Sequence, residues 1–262
     1  MNTYWCDTYN GKYTNFGDIL TPYIFNKYRI PIKQSKTNNI DLYAIGSLLD
    51  LVPEKYTGNI WSSGFLMPRT TKKILSKAPC AIRGKLSLSL LEYDNRPVTL
   101  GDGGLIIDRV YKPLNISKKY KLGIIPHYVD IDWTDFDIKS FSIFSRPDVL
   151  FIDPKNDVET YINNLVSCEN ILSSSLHGLI TSDSYEINNG LFATPFSYKS
   201  LHFNKSSFKF KDYYSVFNQE MPNYITLDNN TSLEFCLSNC KQVNKPNIEV
   251  IKYYLVKSIE DI

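Results

Sequence analysis

The chain is poor in histidine, cysteine and net charge, and it has no long apolar run. Three histidines in 262 residues, at 127, 177 and 202, leave few candidates for proton transfer near neutral pH. The five cysteines (6, 80, 168, 236 and 240) are odd in number and scattered. That argues against a disulfide framework and fits reduced thiols. Cys236 and Cys240 would share a helical face, but no histidine lies near them in sequence, so idle or buried thiols are expected rather than a metal site. The formal charge is only +2, from 29 basic and 27 acidic side chains, which argues against a generic nucleic-acid binder. No apolar run approaches the ~18 residues of a membrane span. The start, Met1 to Asp7, lacks a basic segment followed by an apolar one. A soluble cytoplasmic protein is the expectation.

What is present is aromatic: 14% of residues, with 19 Tyr and 14 Phe. Tyrosine offers a flat apolar face and a hydroxyl, which suits sugar binding. Short apolar runs alternate with amphipathic stretches. Thr3–Cys6, Leu42–Ile45, Asn59–Ser62, Cys80–Ile82 and Val98–Leu100 read as buried strands. Asp18–Tyr28, Thr70–Lys77 and Lys85–Tyr93 read as helices between them. Val110–Tyr120 has no period and reads as a linker. The pattern then restarts, with strands at Leu122–Pro126, Val149–Ile152, Ile171–Ser173 and Gly190–Ala193. Helices are expected at Asp157–Cys168, Leu176–Glu186 and Ile248–Ile259. Two such blocks predict an α/β protein of two Rossmann-like domains, 1–115 and 116–262, the second closed by a C-terminal helix. Ligands in such sheets sit beyond the carboxyl ends of the strands, and two domains add a cleft between them.

Two histidines fall at those ends: His127 after Leu122–Pro126, and His177 after Ile171–Ser173. The turn Ser173-Ser174-Ser175-Leu176-His177-Gly178 opens a helix with small hydroxyl residues. Unsatisfied N–H groups and the helix dipole make such a turn an anion site, although serine there also serves as a plain cap. In the first block, Asn15 and Asp18 open a helix. Arg83 ends a strand, where a guanidinium can grip a carboxylate or phosphate. Asp102 sits in a strand-end turn, as a general acid or base or only as a turn residue. Gly64 would let a ligand approach the backbone. Tyr198–Tyr214 interleaves four lysines and His202 with six aromatics, a pattern that marks single-stranded nucleic acid binding, a sugar- and phosphate-binding loop, a face near an anionic membrane, or only an exposed loop leading into a helix that begins near Lys211.

Taken in order, the stretches NFGDIL (15–20), AIGSLL (44–49), IWSSGF (60–65), AIRGKLS (81–87), TLGDGGLII (99–107), GIIPHYVD (123–130), FIDP (151–154), ILSSSLHGLITSDSY (171–185) and FKDYYS (210–215) resemble the polysaccharide pyruvyl transferase family. The resemblance runs over roughly residues 15–215, and PHYVD with SSLHGLI carries most of it. The chain departs from the family pattern at Lys85-Leu86-Ser87, at Gly101-Asp102-Gly103 and at Ser62. The resemblance implies a fold similar to the two-domain GT-B glycosyltransferases, with the active site in the interdomain cleft. It implies transfer of pyruvate from phosphoenolpyruvate (PEP) to a sugar, forming a ketal on a bacterial capsule or other surface-glycan precursor, with release of phosphate. On this reading Arg83, Ser174, Ser175, Leu176, His177, Gly64 and Asn15 hold PEP. His177, His127, Asp18 and Asp102 compete for the acid–base roles. Tyr213, Tyr214 and His202 meet the acceptor, expected to be a lipid-linked oligosaccharide at the inner membrane. No cofactor, metal or nucleic acid is called for. The alternative is a GT-B glycosyltransferase using a nucleotide sugar.

Overall fold

A computed structural model describes residues 1–6, 15–37, 39–114, 117–132, 137–194, 201–242 and 245–262, with only the backbone at 132 and 201–206. The chain is α/β, with parallel sheets. The first half runs β1 (Asn2–Tyr4), α1 (Phe16–Lys27), β2 (Lys33–Gln34), β3 (Leu42–Tyr43), β4 (Asn59–Ile60), β5 (Lys73–Ile74), β6 (Ala81–Ile82), α2 (Lys85–Ser89), β7 (Leu91–Glu92), β8 (Thr99–Leu100) and α3 (Ile107–Val110). The second half runs β9 (Tyr120–Ile125), α4 (Tyr128–Asp132), β10 (Val149–Phe151), α5 (Val158–Val166), β11 (Cys168–Ser173), α6 (Leu176–Ser184), β12 (Asn188–Ala193), α7 (Leu201–Ser215), β13 (Tyr224–Thr226), α8 (Leu233–Ser238) and α9 (Ile248–Ile259).

In the first half the order is β2-β1-β3-β4. The Ser63↔Ile82 bridge, with Ser62 N–H donating to Ala81 O, extends the ladder through β6 to β8. In the second half the order is β10-β9-β11-β12-β13, all parallel. Central strands of such sheets are covered on both faces, so they are apolar throughout rather than alternating. Leu122, Ile124 and Ile125 of β9 are fully buried accordingly. Helix α5 starts where the Asp157 carboxylate accepts from Thr160 N at 2.9 Å, and it turns Val158, Tyr161, Ile162 and Leu165 inward.

One apolar core joins Leu20, Ile24, Trp61 and Leu105 of the first half to Ile162, Leu179, Ile180 and Tyr213 of the second. Phe16 stacks on Tyr161 across it, with ring centroids 3.7 Å apart. Helix α9 has the limits expected from sequence but does not close the second half. It lies against β8 and the turn Gly103–Ile106 of the first. The Trp61 indole donates to Ser258 Oγ at 2.9 Å. Lys252, almost fully buried, bonds Asp108 and the carbonyl of Ser184.

Thr70–Lys77 is not a helix. Its two central residues form β5, paired with β7. Ile74 is exposed and Leu75 buried, the alternation of a strand at a sheet edge, and Lys73 reaches inward to the Val52 carbonyl. The expected helix Lys85–Tyr93 likewise stops at Ser89, because Leu91 and Glu92 are drawn into the same ladder. Helix α7 begins at Leu201, ten residues before Lys211, where the sequence suggests a helix start. Among the described residues no helix is long and apolar enough to cross a membrane.

Candidate functional site

In the second sheet the winding reverses between β9 and β11, the switch point beyond whose carboxyl strand ends open sheets of this kind bind their ligands. His127 follows β9, and the Ser173–His177 turn follows β11. From the other half come the start of α1 after β1, Arg83 after β6 and Asp102 after β8.

His177 and Asp102 meet across the two halves, with His177 Nε2 3.9 Å from Asp102 Oδ1. Asp102 Oδ1 accepts from Gly104 N at 2.8 Å. Asp102 Oδ2 and His177 Nε2 are both buried, and among the described residues neither has a hydrogen-bond partner. The ring of His177 lies directly on Gly17 of α1, where any Cβ would overlap it. The glycine of NFGD is therefore a seat for the imidazole. Gly17→Ala is expected to push the ring or the helix aside and to cost about 1–3 kcal/mol in urea unfolding. An unchanged midpoint would show that the contact yields freely.

Charge in this region is set by burial. Desolvation pushes the Asp18 carboxyl up to about 6, against the Asn15 amide (Nδ2 to Oδ2, 3.2 Å) and the charge of Lys209. Desolvation also pushes Asp102 up to about 6, opposed by the Gly104 N–H and the Arg83 charge and assisted by Asp212. It holds the His177 imidazole down to about 3, with the charges of Lys209 and Arg83 adding to the effect. The ring is therefore neutral at pH 7.

A carboxyl raised in the folded state binds more protons folded than unfolded between its two pKa values. Asp102 therefore lowers stability above pH 6, and that penalty fades as the pH falls towards 4. Asp102→Asn keeps an acceptor for Gly104 N and removes the charge. It is expected to stabilise the protein by about 1–3 kcal/mol at pH 7, with the gain shrinking below pH 6 and gone near pH 4. Thermal unfolding of both proteins across that range checks it; a pH-independent difference would contradict it.

The structure redirects several residues expected to touch substrate. Arg83 is 1% exposed. Its Nε donates to Asp212 Oδ2 at 2.9 Å, one terminal nitrogen to Ser47 Oγ at 2.9 Å and the other to Phe65 O at 2.5 Å. The guanidinium thus binds protein groups rather than facing open space. The group that approaches Gly64 is this same guanidinium, so Gly64 accommodates Arg83 rather than a ligand. Asp212 of α7 also accepts from Ser87 N at 2.7 Å and from Ser87 Oγ at 2.6 Å. The Ser174 hydroxyl is engaged too. It donates to Asp130 Oδ2 at 2.6 Å and accepts from His127 N at 2.7 Å. Ser174 thus ties the β9 turn to the β11 turn. Ser175 is the N-cap of α6 but its hydroxyl makes no cap bond, while its own N–H donates to Ser173 Oγ at 3.0 Å. His127 is half-buried, with Nδ1 accepting from Val129 N at 3.3 Å.

Tyr213 and Tyr214 are fully buried and cannot stack on an acceptor. Tyr213 Oη donates to Asp183 Oδ2 at 2.7 Å, and both rings belong to the core. The side chain of His202 lies outside the described residues. The turn at Ser62 keeps a left-handed backbone, φ 64°, where glycine is favoured, and its hydroxyl donates to Gly101 O at 2.8 Å. Cys236 and Cys240 are buried, and burial pushes both thiols up to about 12.

Sequence reasoning passed over Ser47, Asp130 and Asp212, and took Lys209 only as one of the four lysines of the Tyr198–Tyr214 stretch. Asp130 and Asp212 lie inside the recognised PHYVD and FKDYYS stretches, where their type was visible and their partners were not.

An uncharacterized protein of Acanthamoeba polyphaga mimivirus is 34% identical over 165 residues, which is 58% of this chain and 54% of that protein. The chain thus spans about half the length of the curated relative it matches. No protein-family model and no solved structure matches it.

Proposed function

We propose that the chain is a pyruvyl transferase working between two Rossmann-like, GT-B-like halves. It would move the three-carbon unit of PEP onto two hydroxyls of a sugar as a ketal, with release of phosphate. The observation that carries this reading is the meeting of His177 and Asp102 from opposite halves, each with a buried polar atom that has no partner among the described residues. Buried polar atoms without partners are costly, and a substrate that bonds them recovers that cost.

The chemistry needs a proton delivered to the PEP methylene carbon, which leaves an electron-poor C2. One sugar hydroxyl forms a C2–O bond and loses its proton. The C2–O bond to phosphate breaks, and phosphate leaves with the electron pair. A second hydroxyl then closes the ketal and loses its proton. Asp18 and Asp102, with carboxyls raised to about 6, keep a protonated fraction at neutral pH and suit the acid role. His177, neutral in the free protein, would suit the base role for a hydroxyl once the bound donor's negative charge raises its proton affinity. The first turn of α6, which the Ser175 hydroxyl does not cap, would supply N–H donors for the leaving phosphate. The acceptor in this reading is a lipid-linked sugar at the cytoplasmic face of a membrane.

The test is phosphate release from PEP over a panel of lipid-linked galactosides and mannosamine-containing acceptors. Release that depends on acceptor, with a pyruvate ketal on the product, supports the reading. Nucleoside diphosphate released from a nucleotide sugar, with none from PEP, replaces it with sugar transfer.

A further inference from the structure

Lys209 stands one turn before Asp212 on α7, and that helix is pinned. Asp212 is bonded by Arg83 and Ser87, Lys85 N donates to Ser215 Oγ at 2.9 Å, and the backbone at Asp212 presses on Gly84 so closely that no Cβ fits there. Residues three apart on a helix share a face, so Lys209 turns inward with Asp212 while Lys211 is exposed. The side chain is half-buried, and among the described residues its ammonium has neither a hydrogen bond nor an ion pair. Its ordered contact is with the Phe210 ring, 5.4 Å from the centroid. Its charge acts on Asp18 of α1 and on His177 of α6, and it feels in turn the charges of Arg83, Asp130 and Asp18, none of the carboxylates being in ion-pair contact with it. Lys209 is thus a partly desolvated cation set among the groups of the candidate site, unlike Lys245 and Lys252, whose ammonium groups are each paired with an aspartate.

A partly desolvated cation with no carboxylate in ion-pair contact is costly, and its cost is recovered when an anion arrives. Arg83, the cation that sequence favours for this task, is spent on Asp212, Ser47 and Phe65. We propose that Lys209 is the cation that receives the anionic group of the donor substrate, a phosphate or carboxylate, at the carboxyl ends of the strands. This rests on the reading of the site as one for a phosphorylated donor. The lysines of this segment that sequence suggests for a membrane face therefore divide: Lys209 points into the protein, Lys211 points out, and the side chains of Lys199 and Lys205 lie outside the described residues.

Calorimetric titration of PEP, inorganic phosphate and UDP into the parent protein and into Lys209→Gln, Lys209→Met and Lys209→Arg tests this. PEP affinity is expected to fall at least 30-fold in the Gln and Met variants and to survive in part in Lys209→Arg. The melting temperatures of the neutral variants should be no lower than the parent's, since an unpaired charge has been removed. Equal PEP affinity in Lys209→Gln or Lys209→Met and the parent overturns the proposal. If the parent binds UDP but not PEP, and the neutral variants lose UDP, Lys209 keeps its role while pyruvyl transfer falls. If the parent binds none of the three, both fall.

Discussion

Asp212→Ala is expected to be the most destabilising single change in the site region, at about 3–5 kcal/mol. The carboxylate is fully buried and takes three donors: Arg83 Nε, Ser87 N and Ser87 Oγ. Removing it leaves a guanidinium that is 1% exposed without its counter-charge and two Ser87 donors without an acceptor. It also unfastens α7 from the strand ends, and Lys209 with it. Arg83→Ala should destabilise for the mirror reason, and the double variant should cost much less than the sum of the two singles. Urea unfolding of the four proteins measures the coupling. A loss below about 1 kcal/mol in Asp212→Ala would mean that water reaches the pair and that the site is looser than described. Weaker PEP binding by Arg83→Ala would then have to be read together with its stability, because this arginine organises the site rather than facing its contents.

His177→Ala is expected to lower PEP turnover by ~10²-fold or more while leaving the fold intact. The ring fills the space above Gly17 and faces Asp102, and its removal leaves room that water can enter rather than an unpaired charge. The imidazole is neutral at pH 7 because burial and two nearby cations keep it so. An arriving dianion reverses the sign of that field, so the ring's proton affinity should rise on binding. His177→Gln keeps a hydrogen-bonding group but cannot exchange a proton. If it regains PEP affinity without turnover, the histidine moves a proton. If it regains both, the histidine only positions substrate, and if both variants turn over like the parent, the catalytic reading of the α6 turn is wrong.

The strands were legible because a buried parallel strand is an uninterrupted apolar run, as in Leu122–Ile125 and Ile171–Ser173. Helix α9 was legible to the residue from its period. Its docking site was not, since nothing local to Ile248–Ile259 says which half its apolar stripe will cover. The strand ends carrying His127, His177, Asp102 and Arg83 were legible for the same reason as the strands. What each side chain does there depends on partners far away in sequence. Arg83 meets Asp212 across 129 residues, and Ser174 meets Asp130 across 44. Tyr213, Tyr214 and Lys209 share one helix, and composition alone makes all three look like surface groups. Their direction is fixed by Asp183, Asp212 and Gly84, which no window of sequence displays together. Thr70–Lys77 was misread because a two-residue ladder at a sheet edge is too short to establish a period of two.

The path of the chain back to its first half bears on how the protein is made. Trp61 bonds Ser258, and the apolar face of α9 covers the end of a sheet whose last strand is complete by residue 100. During synthesis that sheet waits, with the Trp61 flank uncovered, until the 197 residues separating Trp61 from Ser258 have been added. Contacts so distant along the chain are slow to form, and apolar surface exposed meanwhile invites association with other chains. The first half should therefore depend on chaperones while nascent and gain resistance to proteases late, in a single step, when α9 docks.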